Sequence, residues 1–470
     1  MRARIAALLL FLCTAMAHAQ DNIGIAASSH APVNTVLINP STISDSRAFI
    51  DFNLAGFGLF ARNDMAFLPG GSFSIAGITE IEEPSYNRAT APYHAYADVL
   101  VHGPSVTFNV KQHGFGLYTG LRTVADGRGI PESLGYYFTE GFQYREQMGI
   151  NYTVSDMRAN ALAWFEAGFS YATIVQRRAD MLTQAGITVK KLFGIAGAGI
   201  RLDEWNYTVV DSSHMETYVF RGEYGFNEPA WNSGSGMGFD LGVTFKKTDH
   251  SVSNYMPFDP CTDGSYKYRL GFSILDIGSI KFKGPFYRNV FDETEQSEWE
   301  DYQGSAADEA SDIDSLINSN FQLVERNGDE SKFRMALPTA ISAQLDYHLG
   351  YNFYINSMAM IGLPRKNNLG VQRASYLSVA PRYEIKRFEF ALPFTMYEFR
   401  QPQIGAMIRL NSLIIGSDNL AWFLGQDIYG ADVYLNLKYT IFKHWKCREP
   451  KQRKAPRNRG TGKVIPCPSW

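Results

Sequence analysis

The side chains in this sequence most able to do chemistry are carboxylates, histidines and thiols, and none of them stands in a catalytic pattern. Gly-x-Ser-x-Gly, His-Glu-x-x-His and Cys-x-x-Cys are all missing. Gly460-Thr461-Gly462-Lys463 imitates the end of a phosphate loop, but it lacks the upstream Gly, the hydroxyl residue after Lys and a flanking strand and helix. Of the nine His, His30, His94, His102 and His113 fall in loops or near strand ends, where a solvated imidazole is the ordinary finding. Between Asp292 and Glu330 lie 13 acidic residues and one Arg, with a helical stretch expected near 308–321. Such a run reads as a solvated loop, or as a screen or cation-binding segment at the mouth of a pore. Asp308, Asp312 and Asp314 lack the Gly-centred spacing of a calcium loop, so neither a metal nor a cofactor is assigned.

The elements that must position any site are long alternating stretches. Met237, Phe239, Leu241, Val243 and Phe245 interleave with Gly238, Asp240, Gly242, Thr244 and Lys246. Tyr266, Tyr268, Leu270, Phe272 and Ile274 do the same with Lys267, Arg269, Gly271 and Ser273. A period of two is the mark of a strand with one apolar face. A tilted membrane-crossing strand needs roughly 9–11 residues, and these runs are long enough. Their second face carries charge, which suits a wet lumen. Fourteen strands can be read between residues 48 and 443, the fourth and fifth near 160–176 and 185–201 and the tenth near 371–386. A strand near 100–112 precedes them, and 63–99, 126–159, 202–235 and 285–334 are read as loops. The expected fold is all-β: a closed transmembrane antiparallel barrel. Short connections on one side and long ones on the other place both termini in the periplasm.

Asp276 interrupts this pattern, because strict alternation through Leu275-Asp276-Ile277-Gly278 would set its carboxylate among lipid tails. A charge there costs on the order of a few kcal/mol. A bulge at Asp276–Gly278 would turn the carboxylate inward and re-aim the strand, either as a structural kink or as a functional one.

The chain opens like an exported protein. Arg2 and Arg4 precede an apolar run, and Ala17-His18-Ala19 offers a cleavage site, so 1–19 reads as a signal peptide. Residues 20–47 alternate little and hold Asn39-Pro40, a turn signal; they read as a leader or as a hatch inserted into the lumen. The barrel then occupies 48–445. Aromatic residues reach 14%, with 26 Tyr and 32 Phe, as girdles at two interfaces require. A net charge of −3 indicates no nucleic-acid partner.

The early Leu37-Ile38-Asn39-Pro40, followed closely by the first strand, resembles Bacteroidota barrels that include type IX secretion partners. More loosely it resembles the long-chain fatty-acid transporter (FadL-like) superfamily, which implies fourteen strands, an N-terminal hatch and a lateral exit at a strand kink. Leu413-Ile414-Ile415-Gly416-Ser417-Asp418-Asn419 belongs to a second set of motifs. Together with Gly238-Phe239-Asp240-Leu241-Gly242, the stretch from Ser273 to Gly278 and a basic Cys-Pro tail, it is similar to a Bacteroidota family of outer-membrane barrels of unknown function. That resemblance implies a place and a fold but no activity. Two functions follow: passive uptake of a small hydrophobic solute, or a structural or adaptor role in an envelope or type IX secretion-related complex. The expected partners are outer-membrane lipid, a hydrophobic molecule in the lumen, and an envelope protein meeting the tail.

That tail, 446–470, has eight Lys or Arg and one Glu, with prolines and no apolar periodicity. It reads as a periplasmic extension or as a docking segment anchored by Trp470. Without Cys13, three cysteines remain: Cys261 in a long inner turn and Cys447 and Cys467 in the tail, an odd number for an oxidising compartment. Closing the tail's own loop of about 20 residues costs little extra entropy. Three states stay open: a Cys447–Cys467 bridge, a bridge from Cys261 to the tail, and thiols that are reduced or paired with another protein. Peptide mapping under non-reducing conditions tells them apart, and three unpaired thiols in protein from native membranes exclude both bridges.

Overall fold

The computed structural model describes residues 22–69, 85–87, 92–134, 147–211, 214–248, 266–283, 286–300, 333–364, 369–421 and 425–442. From Ile50 to Ile441 the chain runs up and down as antiparallel strands, each hydrogen-bonded to the next. The first, Ile50–Asn63, pairs with the last, Gly430–Ile441, so that Ile50 faces Ile441 and Arg62 faces Gly430. The sheet thus closes into a fourteen-stranded barrel. Closure leaves no free edge, the condition for a sheet to lie in lipid.

Burial is inverted relative to a water-soluble protein. Along Gly430–Ile441, Leu435, Leu437 and Tyr439 are 44%, 44% and 57% exposed, whereas Tyr434, Asn436 and Lys438 are 0%, 1% and 1%. The same holds around the wall: Leu117, Phe169, Leu241, Phe272 and Leu345 point outward, while Asp98, Arg122, Lys190, Arg382 and Arg409 are buried. Apolar groups out and charges in is the arrangement of an outer-membrane barrel.

At the end where Ile50 meets Ile441 the turns are tight. Lys111, Ala179, Tyr351 and Asn411 each take a left-handed φ between 51° and 55° where one strand passes into the next. The longer connections lie at the opposite, far end, except the one from Thr248 to Tyr266, which is on the side of the tight turns.

All four stretches expected as loops are partly strand. Asn151–Arg178 and Met181–Val209 run for 28 and 29 residues, well beyond a bilayer's thickness. His214–Asn227 pairs with the upper part of Met181–Val209, and Phe286–Glu293 and Ser297–Glu300 pair with it in turn. This far-end extension has its own apolar core, including Leu202, Trp205, Tyr207, Phe220 and Phe291. Outside, Arg221 bridges Asp292 (2.8 Å) and Glu204 (3.2 Å). The register shifts between Leu202 and Glu204 and between Asn206 and Tyr207. Each shift resets the phase of the alternation, which hides the strand from a strict period of two.

The strand expected near 100–112 is instead Tyr93–His102 and Ser105–Val110, parted at Gly103-Pro104, where proline has no N–H to give the ladder. The one expected near 371–386 starts only at Tyr376.

A charge placed on the outward belt tests the inversion. Leu435→Arg should lower folding stability in lipid by about 2–4 kcal/mol, and Leu435→Ala by less. The folded fraction on unboiled gels across a urea gradient measures both.

Candidate functional site

The lumen is occupied by the chain's own N-terminal segment. Ile23–Ile25, Pro32–Thr35 and Pro40–Asp45 are short helical turns, and Ile23, Ile25, Val33, Ile38 and Ile43 are all buried. Apolar packing alone would let such a segment slide. Specific bonds fix it. The backbone N–H of Ile23 donates to Asp418 Oδ2 (3.0 Å), and Lys438 Nζ donates to the carbonyl of His30 (2.6 Å). Glu384 accepts from the N–H of Ser29 (2.9 Å) and from His30 Nδ1 (2.6 Å). Burial, the larger effect, holds the His30 pKa below the usual imidazole value against the pull of that carboxylate. At the other end Asp45 pairs with Lys246 (2.9 Å). His30 and His102, expected as solvated, are both buried.

Asn39 and Pro40 form the innermost turn. Asn39 Oδ1 accepts from the Ser41 N–H (3.1 Å), capping Pro40–Asp45, and Pro40 takes the first helical position, where a missing N–H costs nothing. Asn39 Nδ2 donates to Gln344 Oε1 (3.1 Å), and Ser41 Oγ meets Thr244 Oγ1 at 2.7 Å. Wall glycines make the seat. A Cβ on Gly242 would lie 2.1 Å from Asn39 Oδ1, and one on Gly186 would lie 2.5 Å from the Pro40 carbonyl carbon. The plug backbone lies so close to the wall that any larger side chain would displace it.

Beyond the plug stands a layer of buried charge. Asp276 is in the left-handed region (φ 55°) within a bulge: Phe239 faces Ile277 and Leu241 faces Ile274, so Leu275 and Asp276 together oppose Asp240. The Asp276 N–H donates to Asp240 Oδ1 (2.8 Å). Its carboxylate points into the lumen and meets Lys190 (2.5 Å), Arg122 (2.7 Å) and Arg373 (3.4 Å). Lys190 also reaches Asp240 (2.8 Å), and Arg122 reaches Asp98 (2.9 Å). Gly278 faces Gly238 across the ladder, where a Cβ would strike the Met237 carbonyl. On the strand's other side the neighbour is broken between Phe333–Ala336 and Ala340–Gly350. The Leu337 N–H to the Gly278 carbonyl (3.1 Å) and Thr339 Oγ1 to the Asp276 carbonyl (2.8 Å) join them there.

Around and past the charge layer the lumen is apolar, with Phe60, Leu162, Leu192, Ile280, Phe333, Leu337 and Tyr376 in one cluster that also takes in Ile23 and Ile38 of the plug. Residues 369–375 fold inward over it and bring Leu369, Val371 and Arg373 with them. Their backbone is held by side chains, Gln372 N–H by Asp126 (2.9 Å) and Ser375 N–H by Glu398 (2.8 Å), which is why they form no strand.

Of the candidate residues, Asn39, Pro40 and Asp418 therefore meet at the plug, and Asp240, Asp276 and Gly278 at the charge layer. Asn419 is apart, donating to the Gly430 carbonyl (3.2 Å) as a turn residue. Cys261, Cys447, Cys467 and Trp470 lie outside the described residues, as do residues 301–330 of the acidic insert, whose start falls in the strands Phe286–Glu293 and Ser297–Glu300. Among the described residues no cluster of His, Cys, Asp or Glu could hold a metal ion. Asp98, Arg122, Lys190 and Arg373 were not singled out by sequence, since a charge on the inner face of a strand gives no hint of which other strand it will meet.

Residues 40–418 match a family described as a family of unknown function, DUF5723. The chain belongs to it. The matched span of this DUF5723 protein begins at the plug's innermost turn and ends at the aspartate that holds Ile23. No curated protein matches the chain. Among solved structures it is similar to the toluene transporter TbuX of Ralstonia pickettii, with 10% identity over 91% of this chain and 96% of that one and a TM-score of 0.38. The P. putida toluene transporter TodX gives 9% identity over 87% and 94%, with a TM-score of 0.40. A Pseudomonas aeruginosa FadL homologue gives 12% over 88% and 94%, with a TM-score of 0.38.

The seat of the plug can be tested directly. Gly242→Val should unseat the Asn39-Pro40 turn while the barrel still forms, and deleting residues 23–36 should do so more completely. Single-channel conductance in planar bilayers should rise in that order. Unchanged conductance in the deletion variant would count against a plug.

Proposed function

We propose that this protein carries a small hydrophobic solute passively across the outer membrane. The solute enters the apolar far half of the lumen and leaves through the wall, with both termini periplasmic. The observation that supports this is the division of the lumen. Its far half holds a packed apolar cluster that reaches Ile23 and Ile38 of the plug, while the axis beyond is blocked by paired charges and by the plug. An apolar solute pays a steep desolvation cost to cross such a charge layer, which would have to part from its partners. At that same junction the wall loses part of its backbone ladder, between Asp276 to Gly278 on one strand and Leu337 to Thr339 on the next. Leu337 is fully buried in the apolar cluster and sits beside the interruption. A sideways route needs only a few hydrogen bonds to open, and it ends in lipid, where a hydrophobic solute is stable. On this reading the bulge at Asp276 is a functional kink.

Cells whose outer membrane resists apolar solutes should take up a labelled monoaromatic hydrocarbon faster when they express the protein. Leu337→Arg should slow that uptake about tenfold, the effect of roughly 1.4 kcal/mol on the barrier, with the unboiled gel mobility unchanged. Uptake no faster than in cells lacking the protein would overturn the proposal.

A further inference from the structure

A cavity lies between the plug and the wall, against the charge layer. Asn22 and Asn34 line it from the plug, and His102, Tyr118, Arg122 and Glu166 from the wall. Asn22, Asn34, His102 and Tyr118 are 8%, 4%, 2% and 5% exposed. Yet Asn22 Oδ1, both amide atoms of Asn34, both ring nitrogens of His102 and the Tyr118 hydroxyl have no hydrogen-bond partner in the protein. Buried polar atoms are rarely left so, and here they face one space from two separate parts of the chain.

We infer that this cavity binds a small, neutral, hydroxylated solute about the size of glycerol. The chemistry of the lining selects the class. Asn34 Nδ2 and the Tyr118 hydroxyl are donors, Asn22 Oδ1 and Asn34 Oδ1 are acceptors, and a neutral imidazole supplies one of each. A hydroxyl group answers both needs. A charged ligand finds no counter-ion to spare. Arg122, Lys190 and Arg373 are engaged by Asp98, Asp240 and Asp276, and Glu166 accepts from Trp164 Nε1 (2.9 Å). Leu37, Ile38 and Leu100 complete the lining and suit a short carbon backbone. The space is about 40 Å³, room for a few waters or one small polyol. A solute held there touches plug and wall at once, so binding also fastens the plug. The inference is independent of the hydrophobic route, which uses the far half of the lumen.

Saturation-transfer NMR on the full-length barrel in detergent tests it with millimolar glycerol as the probe. Glycerol should bind, and should delay thermal unfolding of the barrel. Tyr118→Phe and Asn34→Leu should each weaken binding about tenfold, the loss of one hydrogen bond. Without glycerol, Tyr118→Phe should be at least as stable as the parent, because it removes a hydroxyl with no partner. That separates lost binding from lost folding. The general stabilising effect of glycerol on proteins acts equally on parent and variants, so the difference between them is the readout. Equal transfer to parent and variants would overturn the inference, as would a high-resolution structure in glycerol with only water in the cavity.

Discussion

The carboxylate of Asp276 meets three cations inside the barrel, and much of the wall is shaped to bring it there. A regular strand would have aimed it at lipid, so the strand carries an extra residue, and that residue takes a left-handed backbone that few side chains other than glycine accept. Aspartate tolerates it better than most, and here its N–H gains Asp240 as an acceptor. Once inside, the charge has to be matched. Removing one member of a buried ionic network costs roughly 3–5 kcal/mol, because the rest are left desolvated without compensation. Arg122, Lys190 and Arg373 come from two distant strands and from the inward-folded segment 369–375, so the pairing of Asp276 ties that segment to the wall.

The same logic governs the plug. Its apolar residues fill space, but its position is set where its backbone N–H and C=O groups meet charges that the lumen must neutralise anyway. Asp418, Glu384 and Lys438 each spend part of their bonding on plug backbone. Charged groups that a barrel must turn inward thereby become the means of holding a foreign segment in its bore. The wall glycines complete the fit by letting the Asn39-Pro40 turn lie against the sheet itself.

Much of the barrel was legible in the sequence, because a period of two is a direct consequence of a wall with lipid on one side. The strands expected near 236–247 and 265–284 are observed as Gly234–Thr248 and Tyr266–Phe282. Asp276 announced its own bulge, since a charge on the lipid face is too costly to stand. What escaped were features in which two phases or two segments meet. The extension after residue 201 carries two register shifts, and 369–375 alternates like a strand yet bonds to side chains. Gly186 and Gly242 read as ordinary strand glycines until the plug is in place. Asn22, Asn34, His102 and Tyr118 carry no local signal, for their meaning lies in facing one another across a gap.

These features imply a division of labour along the bore. Charge pairs and plug bonds fill the bore toward the end where Ile50 meets Ile441, and Asp276 and Glu384 each have several partners that would have to part together. The far half packs an apolar cluster under segment 369–375, which Asp126 and Glu398 hold by its backbone N–H groups. Between them the wall is at its weakest, since a bulge on one strand faces a break on the next and two hydrogen bonds, 3.1 and 2.8 Å long, stand in for a ladder. A second weak place, where Leu54 bulges outward beside Gly103-Pro104, is sealed from inside by Asn53 Nδ2, which donates to the carbonyls of His102 and Gly103. That seal uses a side chain fixed between two carbonyls, whereas the one at Asp276 uses backbone already bent out of register. Each gap is bridged by two hydrogen bonds, but only the one at Asp276 lies beside the apolar cluster, through Leu337, and so only there does a break in the ladder meet apolar side chains.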